Sequence, residues 1–546
     1  MRKHPSGLPF LFFTEMWERF GYYLMIGIFV LYATDTQKGG LEFERGTASD
    51  VYGTFIALVY ITPFIGGLLA DRVLGYRRSI VIGGILMGIG YLLLAVPHNL
   101  TTFYGALGLI ILGNGFFKPN ISTLLGNLYN EPRYQAKKDD GYSIFYMGIN
   151  VGALICNFVA AYLRNTYGWG YAFAAAGIGM FVGVIVFLIG MRHYAHADVK
   201  KEAQPEEVGV AKMLSAVLLP AIVVGLGAWQ LPGTVFGSDS TDAFIFGSIP
   251  VIAFYLWILW KAKPEEKRPI RALLALYAVV IAFWAVFKQN GTALTTWAEF
   301  YTDRSMPAVM EDPAKFMGMA QTVSYKPDSF PKYDAQFRTE RDPATKKIAK
   351  DLSLPPYFKN LSPEQHPPQG ASIKLISTEI FQSVNPFFVI VLTPLVIWFF
   401  SFMRRRGKEP TTPAKMGWGL VITALSTLVT VWAVASCHNG AVKASMGWIF
   451  ATYGVITVGE LFISPMGLSM VSKMAPRHIA GLMMGGWQLA TSLGNKLSGV
   501  LATMWDGYDN KANFFWFNFI LLAVAAAVLF AMLGWLNKIF KEKGLN

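Results

Sequence analysis

Residues 79–97 read Ser-Ile-Val-Ile-Gly-Gly-Ile-Leu-Met-Gly-Ile-Gly-Tyr-Leu-Leu-Leu-Ala-Val-Pro, without a single Asp, Glu, Lys or Arg. As a helix this run would be about 28 Å long, close to the ~30 Å of a hydrocarbon core. Gly170–Gly190 and Phe514–Leu536 are further runs with no charged residue. Only closed helices or barrels satisfy the backbone in lipid, and these runs lack the period-two alternation of barrel strands. The chain therefore reads as an all-α membrane protein.

Working outward from that run, fourteen spans can be marked. They lie at 11–33, 49–71, 79–97, 102–128, 142–163, 170–190, 212–231, 243–261, 272–298, 375–402, 416–436, 446–471, 479–504 and 514–536. A division of six, two and six gives an N-terminal six-helix bundle (1–193) and a linker with two extra transmembrane helices (194–271). A C-terminal six-helix bundle (272–546) follows. Two such bundles are the arrangement expected of a major facilitator fold, with a substrate site between them near the midplane. Residues 303–374 form a long extracytoplasmic loop rich in Pro, Lys and Asp, expected as a flexible insertion with short helices or as a docking platform.

Only 15% of the residues are charged, against about 25% in soluble domains. The net charge of +13 does not point to nucleic acid, because the basic residues cluster between spans. Arg72, Arg77 and Arg78, then Arg404, Arg405 and Arg406, then Lys538, Lys541 and Lys543 all fall on one face. That marks the face as cytoplasmic and places both termini there. Cys156 and Cys437 form no metal-ligand spacing. No nucleophile–base pair, phosphate loop or metal cluster speaks for an enzyme.

Ionisable residues inside spans are costly and are functional candidates by default. Glu15 and Arg19 are four apart on the first span and share a helix face, with Glu18 beside them. One guanidinium cannot neutralise two carboxylates, so one proton is held loosely or a second cation arrives, for which Lys118 is a candidate. Glu460 stands alone in Gly454–Met470 and calls for a cation such as a substrate ammonium. Lys288 is the mirror case, a buried amine that would attract a carboxylate, lose its proton or snorkel to the nearby loop end. Gly67–Arg78 is a tight basic turn in which Asp71 can pair with an arginine.

These elements together resemble the proton-dependent oligopeptide transporter family of the major facilitator superfamily. The most specific is Glu15-Met-Trp-Glu18-Arg19-Phe20-Gly-Tyr22-Tyr23, similar to the family's ExxERFxYY element. Phe145–Gly152, Phe381–Pro386 and Gly459–Pro465 resemble its fifth-, eighth- and tenth-helix signatures, and Gly67–Arg78 resembles the general superfamily loop. The resemblance covers nearly the whole chain apart from the long loop. It implies proton-coupled symport of di- and tripeptides across a bacterial inner membrane, by a monomer, with protons as coupling ion and no other cofactor. Proton coupling would fall to Glu15, Glu18, Arg19 and Glu460. Arg19 and Lys118 would face the peptide carboxylate, while Glu460, Asn150 and Asn385 would hold its ammonium. Tyr22, Tyr23, Tyr60, Trp284 and Trp487 would line side-chain pockets, with Lys288 also in the substrate site. Asp71, Arg72, Arg77 and Arg78 would serve the gating loop.

Two positions depart from the family pattern. Many members carry an arginine where this chain has Ile26, and a glutamate where Lys288 precedes Gln289. In the family those positions are expected to pair across the halves on the outer side, and this chain has neither partner of that pair. A carrier for another anionic or peptide-like solute is the alternative reading.

Overall fold

A computed structural model describes residues 4–96, 99–135, 137–199, 214–306, 319–345, 347–476 and 479–542. The apolar runs are helices whose ends are written in the residues between them. α1 (Leu8–Thr34) has Pro9 in its first turn, where the missing N–H costs nothing. α2 (Arg45–Leu69) passes into a short π-turn, Ala70–Leu74, that stops at Gly75. Gly75 has φ +82°, a left-handed conformation that side chains resist. α3 (Tyr76–Leu94) follows, then α4 (Leu100–Leu128), whose Asn99 side chain caps the N-terminus by accepting from the Thr102 N–H. α5 (Lys138–Tyr167) and α6 (Trp169–Gly190) meet at Gly168.

The extra hairpin comprises α7 (Leu219–Trp229), entered through a π-turn, and α8 (Asp239–Lys261), capped by Ser238. The remaining helices are α9 (Pro264–Phe300), α10 (Val384–Arg405), α11 (Thr412–Ser436), α12 (Gly447–Met474), α13 (Ala480–Thr503) and α14 (Lys511–Glu542). Among the described residues eleven helices are long and apolar enough to cross a membrane. α1 and α13, at 27 and 24 residues, also have the length to span. The fourteen-span reading is consistent with this set.

Buried apolar side chains form two large cores. One runs from Leu8 to Ala197 through α1–α6. The other runs from Tyr255 to Phe540 through α8–α14, with Ala161 of α5 joining it. α2 lies along α13 between them: Ser492 Oγ donates to the Ala57 carbonyl at 2.6 Å, and Phe64 sits against Gly485.

Two expectations change. α9 is not continuous, because Lys288–Gly291 form a 3-10 turn inside it. The long loop is built chiefly of strand pairs, not short helices, among its described residues. β1 (Thr302–Asp303) pairs with β6 (Ala444–Ser445), β2 (Ala320–Ser324) with β5 (Ser372–Ile376), and β3 (Asp328–Pro331) with β4 (Lys350–Ser353). Its prolines break helical hydrogen bonding and leave 3-10 turns such as Pro356–Asn360. Tyr357, Phe358, Leu361 and Leu375 give it a small core of its own.

Candidate functional site

α1 carries its charges on a buried face. Glu15, Glu18 and Arg19 are 3%, 0% and 3% exposed. Arg19 forks onto both oxygens of Glu18, and its Nε lies 3.4 Å from Glu15 Oε1. Asn114 of α4 reaches Glu18 Oε1 at 3.5 Å, while Glu15 Oε2 is buried with no hydrogen-bond partner. The guanidinium also stacks on Tyr22, 5.0 Å from the ring centre. A single cation thus serves two carboxylates unequally. The second cation expected there, Lys118, makes no ion pair with a described carboxylate: its Nζ lies 4.2 Å over the ring of Tyr60.

Tyr60, on α2, is a meeting point. Lys288 Nζ, from the second core, lies 5.5 Å from the same ring centre and 5.7 Å from those of Trp284 and Phe287. The 3-10 turn that presents Lys288 is held by polar side chains, as broken spans require when freed backbone groups must be satisfied. Gln382 donates to the Asn290 carbonyl at 2.6 Å, and Gln289 donates to Asn518 of α14 at 2.9 Å. Gly291 is needed for closeness: a Cβ there would lie 1.8 Å from the Tyr52 hydroxyl. The sequence offered Gln289-Asn290-Gly291 as a break signal, but its apolar flanks concealed it.

Glu460 of α12 accepts from Asn385 of α10 at 3.0 Å, and Asn385 also reaches Thr457 at 2.9 Å. The structure brings these two together as expected. Asn150, in contrast, donates to the Tyr146 carbonyl of its own helix at 3.1 Å. Tyr22 is buried with an unpartnered hydroxyl, and Tyr23 packs edge-on against it at 5.4 Å. Trp284 is buried, and its Nε1 has no hydrogen-bond partner. Trp487 is core packing: its ring sits against Tyr277 and so close to Gly467 that a Cβ there would meet it at 1.8 Å.

In the basic turn, Arg77 pairs with Asp198 at 2.8 Å and Arg78 is exposed. The side chains of Asp71 and Arg72 lie outside the described residues.

At the loop end of the bundle the two cores are joined by ion pairs that sequence reasoning missed. Lys496 of α13, 1% exposed, donates to Asp50 of α2 at 2.6 Å, to Thr54 at 2.6 Å and to Ser240 at 3.0 Å. Asp50 also accepts from Ser238 at 3.1 Å, from Thr241 at 3.0 Å and from Ser240. Arg164 of α5 meets Glu379 at 2.9 Å, and Arg45 of α2 meets Asp506 at 2.6 Å. The signal was present, since Asp50, Glu379 and Lys496 are ionisable residues inside the marked spans. A cleft of about 680 Å³ also lies here, lined by Asp35, Arg164, Trp169, Glu299 and Arg304. Its charges have protein partners, among them Glu379 for Arg164 and the Trp169 indole for Asp35. It is a vestibule apart from the Tyr60 cluster.

The sequence profile PTR2, described as POT family, matches residues 77–324 and 371–517. The uncharacterized transporter YclF of Bacillus subtilis (strain 168) is 30% identical over 92% of this chain and 88% of that protein. A di-/tripeptide transporter of Lactococcus lactis subsp. lactis (strain IL1403) is 28% identical over 96% of this chain and 94% of its own. A crystal structure of a mutant peptide transporter POT in complex with sulfate superposes with TM-score 0.76 at 27% identity, covering 99% of this chain and 96% of that one.

Proposed function

The chain belongs to the POT family, and we propose that it is a proton-coupled symporter of di- and tripeptides working by alternating access. It is an integral membrane protein. In this reading residues 1–193 and 272–546 are the two moving halves, and 194–271 carries the extra hairpin. Both termini lie on the cytoplasmic side of a bacterial inner membrane, an orientation supported by the basic clusters between spans. Residues 303–374 and the ion-paired seam then face outward.

The observation that carries the coupling is Arg19 shared by two buried carboxylates, with Glu15 Oε2 left over. A proton on Glu15 removes the surplus negative charge. A peptide carboxylate arriving at Arg19 and Lys118 competes with Glu18 for the guanidinium, so binding and proton exchange act on one group. Glu460, steadied by Asn385, takes the peptide ammonium. Tyr22, Tyr23, Tyr60 and Trp284 form adaptable walls, as a site for varied side chains needs. Asn150 would have to release its own helix carbonyl to join the ammonium site, and Trp487 would act only as a backing wall. Asp71, Arg72, Arg77 and Arg78 serve the inner turn. The proton is the coupling ion, no other cofactor is called for, and the working unit is a monomer.

The test is dipeptide uptake into proteoliposomes under an inward proton gradient. Glu18→Gln should abolish accumulation while exchange of peptide across the membrane persists. Accumulation at wild-type level in that variant would sink the coupling scheme.

A further inference from the structure

The charges around Tyr60 and Glu460 do not balance among themselves. Arg19 is shared by Glu18 and Glu15, and with the coupling proton on Glu15 that trio is neutral. That leaves Lys118 from α4 and Lys288 from α9, both over the ring of Tyr60 at 4.2 and 5.5 Å. Across from them the remaining carboxylate is Glu460, already steadied by Asn385. In this proton-loaded state the local account, among the described residues, is two ammonium groups against one carboxylate.

Aromatic faces attract cations, but two like charges over one ring still repel, and rings alone do not replace lost hydration. The deficit is one anionic group. A neutral dipeptide brings one carboxylate and one ammonium, so it leaves the imbalance where it was. A dipeptide with an acidic side chain brings two carboxylates and one ammonium, which match two lysines and one glutamate group for group. We propose that Lys288, over the ring of Tyr60, takes a second carboxylate beside the main-chain carboxylate at Lys118, so that the preferred cargo is a peptide of net charge −1. This rests on the peptide-symporter reading and adds the side-chain class to it. Because the two lysines come from opposite halves, the two carboxylates of one peptide bridge them. Recognition of an acidic side chain is thereby coupled to closure around the cargo.

The experiment is competition against Ala-Ala uptake in proteoliposomes by Ala-Glu and by its neutral near-isostere Ala-Gln. Ala-Glu should compete about ten-fold better or more, as expected when one desolvated charge finds its partner. In Lys288→Met and in Lys288→Gln the Ala-Glu to Ala-Gln ratio, taken within each variant, should fall towards one. A wild-type ratio of one or below overturns the proposal without any variant needing to fold. An unchanged ratio in both variants overturns it as well, by showing that Lys288 takes no part. If Ala-Glu and Ala-Gln compete equally while Ala-Ala is accumulated, the subsite fails and the symporter stands. If none of the three dipeptides is bound, both fall together.

Discussion

Lys288 and Lys496 are both buried lysines of the second half, 7% and 1% exposed, with opposite surroundings. Lys496 has a carboxylate at 2.6 Å and two hydroxyls, and its carboxylate partner Asp50 takes three hydroxyls from the start of α8, that of Ser240 being shared. Lys288 faces three aromatic rings and no carboxylate within ion-pair distance among the described residues. A buried charge whose hydrogen bonds are complete joins the elements that supply them. A buried charge left among rings is a vacancy for something that arrives later. The first belongs to the seam that closes the loop end, the second to the proposed transport site.

The largest effect should come from breaking the completed cluster. Asp50→Asn leaves Lys496 buried without a counter-charge and should cost roughly 3–5 kcal/mol of stability, read as a lowered melting temperature in detergent. Lys496→Leu should cost less, because Asp50 keeps the hydroxyls of Ser238, Ser240 and Thr241. If the leucine variant proves the less stable of the two, the hydroxyls of α8 do not hold Asp50.

Glu460→Ala should show the converse pattern. Removing a group that accepts from the Asn385 amide should leave the melting temperature nearly unchanged. Uptake of peptides with a free α-amine should fall by roughly ten-fold or more, the scale of a charged hydrogen bond at about 1.5–3 kcal/mol. N-acetylated peptides should be nearly indifferent. Equal losses for both kinds of peptide would remove Glu460 from ammonium binding.

The seam also depends on close backbone approach. A Cβ on Gly499 would lie 2.7 Å from the Ser49 carbonyl oxygen and 3.0 Å from Gly53 Cα. Gly499→Ala should therefore hold α2 and α13 apart at the loop end, at a cost of about 1–3 kcal/mol to the closed state. Spin-label distances between the two helix ends should lengthen, and an unchanged distribution would show that the crossing has slack.

Lys443, in the connection after α11, is the intermediate case, read as a pH slope instead of a loss. It donates to the Phe300 carbonyl at 2.8 Å and lies over Tyr357 at 4.4 Å. Burial, with Arg304 adding to it, pushes its ammonium down to about 7 from an ordinary 10.5. Its charged form is thus disfavoured on folding, so between pH 7 and 10.5 the unfolded chain binds the extra proton. Stability should rise with pH across that window. Melting of Lys443→Met should lose this part of the slope, and a slope identical to wild type would assign it to other groups.

Much of the fold was legible because lipid imposes length and apolarity on each span separately. The marked runs and the observed helices agree to within a few residues for most elements, but α9 starts well before its marked run, at Pro264, and α10 well after, at Val384. The site was legible in part for the same reason: Glu15, Glu18, Arg19 and Glu460 stand out against apolar neighbours. Partners were not. Lys118 was a candidate second cation for the α1 carboxylates, and its ammonium sits over Tyr60 without an ion pair to either. Trp487 was expected as a pocket wall and is core, because Gly467 leaves a slot that its ring fills.

By itself, then, the sequence determined which segments cross the membrane and which ionisable groups they carry, and its motifs identified the family. Each of these is a local property, readable one helix at a time. Tertiary structure alone decided that Lys118 and Lys288 share Tyr60 while Lys496 meets Asp50. Residues more than a hundred positions apart become neighbours only through helix packing, and charge satisfaction is a property of neighbours.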